Sequence, residues 1–157
     1  MESRMINSLI FAPKIVERLL RVFPTDRIDE RIEADRFTAR EVIAHLADFE
    51  QTVLDRIRVA NQNPGREVPF YDADAAAAEH KFAEKEIFHE AEVFESRREM
   101  LADYLVDLAP ADWQKTFVLP DGTAVTIYDF IFKLMLHDLD HIEQLSHYLA
   151  TEVATIL

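Results

Sequence analysis

The chain has 157 residues, a formal net charge of −13, no cysteine and two glycines. This length suits one domain, residues 1–157, with a full hydrophobic core, and the lack of cysteine excludes disulfides, thiolate metal sites and a thiol nucleophile of the protein's own. The negative charge argues against nucleic acid and anionic membranes as partners. Two glycines are too few for the turns of a sheet protein, so we expect an all-α fold.

The first predicted helix extends from near Met5 to Val22, where Phe23-Pro24 ends its apolar period. Pro13 lies inside this segment and predicts a kink or a new helix start, because proline has no backbone N–H to donate. The charged connection at residues 25–36 has room for one short turn.

The second predicted helix has the clearest start signal in the chain. Thr38 and Glu41 have the spacing of a capping box, in which each side chain bonds the backbone N–H of the other residue. The helix contains His45 about two turns from its start and ends near Asn61, before an Asn-Pro-Gly turn.

A long break with several turn residues follows at 62–74. A short helix is predicted at 75–81, with Asp72 or Asp74 as its cap. The third long helix then covers 87–108 and stops before a proline.

The next segment, 112–122, is predicted to be a loop, in which Trp113 and the following Phe117 close one end of the bundle. The last helix begins near Thr126 and extends to Leu149 or beyond. Four long amphipathic helices predict an up-down four-helix bundle, with the short extra helix in the connection between the second and third.

Three histidines are the main candidates for a functional site. His137 and His141 are four residues apart, so both imidazoles can face one point from the same side of the last helix. These two and His45 each lie at the margin of an apolar stripe, as expected for the floor of a cleft. Three neutral imidazoles would bind a divalent transition metal and leave coordination positions open. The alternative is three unrelated histidines at the edge of the core.

Two segments together resemble a known family. The segment RFTAREVIAHLADFE around His45 and the HDLDH of the last helix are similar to the DinB-like (YfiT-type) superfamily of four-helix bundles. The resemblance implies a metal, usually nickel or zinc, at His45, His137 and His141. Imidazole ligands alone also suit iron, cobalt or manganese.

The resemblance implies two kinds of activity. Some members resemble thiol transferases that use low-molecular-weight thiols such as mycothiol, bacillithiol or glutathione, and a metal site with open positions also suits hydrolysis of a small molecule. The alternative is a non-catalytic protein that binds a metal or a small ligand.

Further polar residues are candidates for supporting roles. Asp48 could orient a ligand imidazole or bond a metal-bound water, and Gln144 could contact a ligand. Arg97 and Arg98 interrupt an otherwise apolar face. One of them could bind a carboxylate or phosphate in the cleft, or could instead extend past the core to an acidic neighbour. Each of these residues could also be an ordinary surface or core group. The remaining histidines, at positions 80, 89 and 147, form no cluster and are expected to be solvated.

Two expectations concern the surroundings of the protein. No secretory signal pattern and no membrane-length apolar run is present, so we expect a cytoplasmic location. The last helix is apolar on its far side as well, which predicts a homodimer unless the third long helix covers that face. The residues of that far side are Phe132, Met135, Leu139 and Ile142.

Overall fold

The computed structural model describes residues 2–154, and in this part of the chain it contains five α-helices and one two-stranded sheet. The helices are α1 (Glu2–Val22), α2 (Ala39–Gln62), α3 (Ala73–Glu79), α4 (Ile87–Val106) and α5 (Ile127–Ala154). The strands are β1 (Thr116–Val118) and β2 (Ala124–Thr126). The predicted all-α four-helix bundle, with its short extra helix before the third long one, is confirmed.

The start signals for α2 and α3 act as predicted. Thr38 accepts a hydrogen bond from the Glu41 backbone, and the Glu41 carboxylate accepts one from the Thr38 backbone, which completes the capping box. Asp72 caps α3 by accepting from the backbone N–H groups of Asp74 and Ala75. The helix therefore begins two residues earlier than expected.

Pro13 lies within one continuous helix, and no new start occurs there. A proline cannot donate to the carbonyl four residues before it, so the carbonyl of Leu9 lacks its usual helical partner. Arg98 of α4 donates to this carbonyl from Nη1 at 3.0 Å. A hydrogen bond between helices thus replaces the one that Pro13 removes.

The segment predicted as a loop forms a short antiparallel hairpin instead. Phe117 pairs with Val125, and both side chains are buried against the end of the bundle. The intervening Gly122 has a positive φ of 86°, which a glycine adopts without strain. Trp113 is buried beside the hairpin, so this end of the bundle is closed as predicted.

The long helices do not simply alternate in direction. Arg40 near the start of α2 bonds Lys85 just before α4, and Asn61 near the end of α2 bonds Tyr104 near the end of α4. These two helices are therefore parallel, and the four directions are up, down, down, up. Helix α1 packs on α4 and α5, and α2 packs on the same two, so α1 lies diagonally across from α2.

A crossover at residues 63–86 makes the parallel arrangement possible, because it returns the chain to the end of the bundle at which α2 began. Backbone hydrogen bonds tie its first residues to the hairpin, from Val68 to Val118 and from Val118 to Arg66. The crossover then passes over one side of α2, where Phe82 and Ala76 pack on Ala44. This segment forms the roof of the cleft described below.

Two apolar clusters fill the bundle, one toward each end. Between them lies a polar layer in which Arg98, Glu50 and Asp138 are all at least 95% buried. The described helices include none that is both long enough and apolar enough to cross a membrane.

Candidate metal centre

His45 of α2 and His137 and His141 of α5 meet beside the polar layer, with one ligand-capable nitrogen from each ring within 4.8 Å of the others. The Nε2 atom of His137 lies 3.0 Å from that of His45 and 3.2 Å from that of His141. The pairing follows from antiparallel packing of α2 against α5 and from the one-turn spacing on α5. The structure therefore brings together all three histidines singled out in the sequence.

Hydrogen bonds behind two of the rings fix their tautomers. Tyr71 donates to Asp48 at 3.0 Å, so its oxygen accepts from Nδ1 of His45 at 3.3 Å. Gln144 accepts from Nδ1 of His141 at 3.0 Å. With the proton on Nδ1, each Nε2 has a lone pair directed at the shared centre.

The orientation of the Gln144 amide is itself determined by its neighbours. Tyr148 donates to the Phe37 carbonyl at 2.9 Å, so its oxygen must accept from Nε2 of Gln144 at 2.7 Å. This leaves the amide oxygen facing His141. Gln144 is buried, and it orients a candidate ligand ring instead of lying on the surface.

The donor set fits a divalent transition metal. The Nε2 lone pairs of His45 and His141 converge on one point, and among the described residues nothing outside the three histidines donates to them. A cation bound there would relieve their mutual repulsion. His137 differs from the other two, because its Nδ1 is buried and has no hydrogen-bond partner. Its tautomer is therefore free to adjust to what the centre binds.

Burial keeps these imidazoles neutral. It lowers the pKa of His45 and of His137 from the ordinary 6.5 to about 3, with repulsion from the neighbouring histidines as a smaller cause. Burial also lowers the pKa of His141. Neutral imidazole is the form that binds metal, so the site is ready for a cation at pH 7 without losing protons.

The lowered pKa values predict how the stability of the metal-free protein depends on pH. The unfolded chain takes up protons at these histidines below about pH 6.5 and the folded chain does not, so the free energy of unfolding decreases as the pH falls from 6.5 toward 3. His45 and His137, whose pKa values are lowered to about 3, each contribute roughly 2 kcal/mol of this loss between pH 7 and 5. Urea unfolding with chelator at both pH values measures the loss.

The control for this prediction is the exposed His89, whose replacement by glutamine should leave the pH dependence unchanged. His45→Gln should make the dependence shallower than in the wild-type protein. If the stability of the wild-type and His45→Gln proteins depends equally on pH, the three histidines His45, His137 and His141 (the triad) do not cause the dependence.

The two candidate arginines have different surroundings. Arg98 is 1% exposed and binds both Glu50 and Asp138 through paired hydrogen bonds of 2.6–3.0 Å. Arg98 therefore extends to acidic neighbours in the polar layer, which is the second of the two predicted alternatives, and it does not lie in the cleft. Arg97 donates to the Ala47 carbonyl at 2.7 Å and lines a different cavity from the one at the triad.

Two cavities lie under the crossover. The first, of about 440 Å³, contains the three histidines, and its other walls are mostly apolar. The second, of about 840 Å³, has a mixed lining whose polar members include Asp48, His80 and Arg97. Phe70 and Tyr71 belong to both linings, so this part of the crossover separates the two cavities.

A chain of hydrogen bonds connects the centre to the second cavity. It leads from His45 to Tyr71, then to Asp48, whose other oxygen lies 2.7 Å from Nδ1 of His80. Asp48 is thus linked to the His45 ring through Tyr71. His80 was expected to be solvated outside any cluster, but its half-exposed side chain is the outer end of this chain.

Sequence reasoning missed Tyr71 and Arg56, both of which line the triad cavity. Tyr71 lies in the crossover, whose path over α2 no local pattern reveals. A signal for Arg56 was present, because it follows His45 by eleven residues, close to three helical turns, and so lies on the same face of α2.

Comparisons with known proteins agree with this architecture. The model of the DinB superfamily matches residues 9–145. No curated protein matches the sequence significantly. The fold is similar to that of YfiT from Bacillus subtilis, described as a probable metal-dependent hydrolase with an unusual four-helix bundle topology. The TM-score is 0.83 at 18% identity, over 95% of this chain and 87% of that chain.

Proposed function

Because this chain belongs to the DinB superfamily, we propose that it binds one divalent transition metal through His45, His137 and His141 and hydrolyses a small molecule. The observation that carries the proposal is the convergence of the three Nε2 atoms, with protons held on Nδ1 of two rings from behind. The description of YfiT as a probable metal-dependent hydrolase supports hydrolysis. Zinc and nickel are the metals that we propose to test first, because the resemblance to the DinB-like family implies them; imidazole ligands alone do not select between them and iron or cobalt.

A divalent metal in this centre would supply a Lewis acid that lowers the pKa of water in the cavity. The residues of the chain have other roles. Tyr71 and Gln144 hold two imidazoles in the orientation and tautomer that ligation needs. The apolar walls at Phe49 and Leu119 limit bulk water, which strengthens the electrostatic interactions inside the cavity.

An assay of the metal-loaded protein against small esters, thioesters and amides tests the activity. We expect hydrolysis that disappears with chelator and in the His137→Ala variant. A parallel set with mycothiol, bacillithiol, glutathione and coenzyme A tests thiol transfer to small electrophiles. A fully metal-loaded protein inactive in both sets would favour the non-catalytic binding protein over the enzyme.

The hydrogen bond between Tyr71 and Nδ1 of His45 leads to a prediction about metal affinity. Tyr71→Phe keeps the ring in the cavity wall but removes the oxygen that accepts from His45, and such losses typically weaken metal binding 10- to 100-fold. Competition titration with a chromophoric chelator measures this. Tyr104→Phe is the matched control, because Tyr104 also accepts one hydrogen bond but lies away from the centre. Equal affinities in both variants would contradict a role for Tyr71.

We also propose that the protein is a homodimer. Helix α1, not the third long helix, covers part of the far side of α5, and an apolar surface remains on both helices. It consists of Phe11, Ile15, Phe132, Leu136 and Leu139, each at least 41% exposed. Light scattering should give about twice the 18.2 kDa chain mass, and Leu139→Lys should halve it. A wild-type species of single-chain mass would contradict the dimer.

A further inference from the structure

The triad cavity contains a buried cation that has no acid to balance it. Arg56 is 8% exposed, and it lines the same cavity as the three histidines. Its Nη2 donates to the Pro69 carbonyl at 2.9 Å, while its Nε is buried without any partner. No carboxylate of the described residues forms an ion pair with it.

Neighbouring groups stabilise the charge only in part. The guanidinium carbon lies 5.7 Å from the ring centre of Phe130 and 5.9 Å from that of Phe117, within range of cation–π attraction. Burial still lowers the pKa of Arg56. Arg98 is also buried, but two carboxylates balance its charge, whereas none of the described residues balances that of Arg56. A buried charge without a counterion is costly, which is a reason to expect an anion from outside.

The position of Arg56 relates it to the metal centre. Arg56 follows His45 by eleven positions on α2, which corresponds to about 16.5 Å along the helix axis and a rotation of only about 20°. Phe49 lies between them on the same face and also lines the cavity. A ligand lying along this face would meet a cation at one end, apolar walls in the middle and the three imidazoles at the other end.

We propose that Arg56 binds the carboxylate of the substrate, whose apolar body lies against Phe49 and Leu119 and whose reactive group faces the triad. The position of the reactive group rests on the proposed function, whereas the carboxylate site does not. A planar carboxylate matches the paired donors of a guanidinium. A phosphate dianion would leave a second negative charge among apolar walls at this end of the cavity, and Arg56 offers only one positive charge.

The experiment uses 4-phenylbutyrate and its neutral amide as probes, titrated by calorimetry into chelator-treated protein and into zinc-loaded protein. We expect the wild-type protein to bind the acid about 10- to 100-fold more tightly than the amide in both forms, as is typical for a charge-assisted pair. Arg56→Met should remove this preference. Arg97→Met is the matched control and should retain it, because Arg97 lines the other cavity.

Several outcomes would overturn the proposal. Equal binding of acid and amide by the wild-type protein would do so without any variant, which matters if Arg56→Met does not fold. In that case Arg56→Lys serves as the variant, because lysine keeps the charge but lacks the planar guanidinium. It should weaken binding of the acid and leave binding of the amide unchanged. A preference for the acid only in the zinc-loaded protein would assign the carboxylate to the metal. Stronger competition by inorganic phosphate than by acetate would refute the carboxylate assignment.

The chelator-treated protein separates this proposal from the proposed function. Binding of the acid there, together with no metal uptake or no hydrolysis after loading, would leave the Arg56 site intact and the enzyme hypothesis refuted. Hydrolysis by a protein that binds the acid no more tightly than the amide would support the enzyme hypothesis and refute the Arg56 site.

Discussion

Replacement of His137 by alanine is expected to remove most of the bound metal from the purified protein. This residue lies between the other two, since its Nε2 is 3.0 Å from His45 and 3.2 Å from His141. A four-ligand structural zinc site is worth roughly 10–16 kcal/mol, or about 3 kcal/mol for each ligand, which corresponds to a loss of affinity on the order of a hundredfold. Elemental analysis after dialysis against weak chelator measures the loss.

The matched control is His147→Ala, because His147 is on α5 as well but is mostly exposed and outside the triad. We expect about one equivalent of metal in the wild-type protein and in this control. Full metal content in a variant lacking all three triad histidines would refute the assignment.

The same proteins show whether metal is needed for folding. The two apolar clusters exist independently of the centre, so chelation should lower the melting temperature but leave the helical circular dichroism at room temperature. Loss of helical signal on addition of chelator would mean that the bundle depends on its metal, as zinc fingers do.

Removal of the Arg98 side chain should have the largest effect on stability. Arg98→Met would leave Glu50 and Asp138 buried without their cation, and breaking a buried ion pair in this way typically costs about 3–5 kcal/mol. It would also leave the Leu9 carbonyl without a partner, because Pro13 cannot donate to it. Urea unfolding at pH 7 measures the change in the free energy of unfolding.

Arg97→Met is a close control, since it changes the neighbouring residue of the same helix and breaks a single bond to a carbonyl. We expect it to cost about 1 kcal/mol. In the Arg98→Met background, Glu50→Gln with Asp138→Asn should recover part of the stability, because uncharged amides cost less to bury than carboxylates. A loss below 1 kcal/mol for Arg98→Met would show that the ion cluster does not stabilise the fold.

The sequence predicted those features that depend on local patterns. The capping box at Thr38 located α2, and the four-residue spacing of His137 and His141 placed both rings on one side of α5. The strands of the hairpin have three residues each, too few for a period-two pattern to stand out. Their pairing also depends on the packing of Phe117 against the end of the bundle.

The rest of the candidate site depends on long-range packing. Tyr71 reaches His45 only because the crossover returns over α2, and helical periodicity contains no information about the direction of the next helix. Arg98 was recognised as an interruption of an apolar face, but its partners lie on α2 and α5, 48 and 40 residues away in sequence. Arg56 was not recognised, because a single basic residue near the end of an amphipathic helix looks like an ordinary surface residue.

The parallel arrangement of α2 and α4 has a consequence for folding kinetics. Neither α1 with α2 nor α4 with α5 forms a packed helical hairpin, since the members of each pair lie on opposite corners of the bundle. Helix α1 has its main partners on α4 and α5, at least 64 residues beyond its own end. Loop closure must therefore precede most of the stabilising contacts. We expect folding slower than that of simple helical bundles, whose contacts are mostly local.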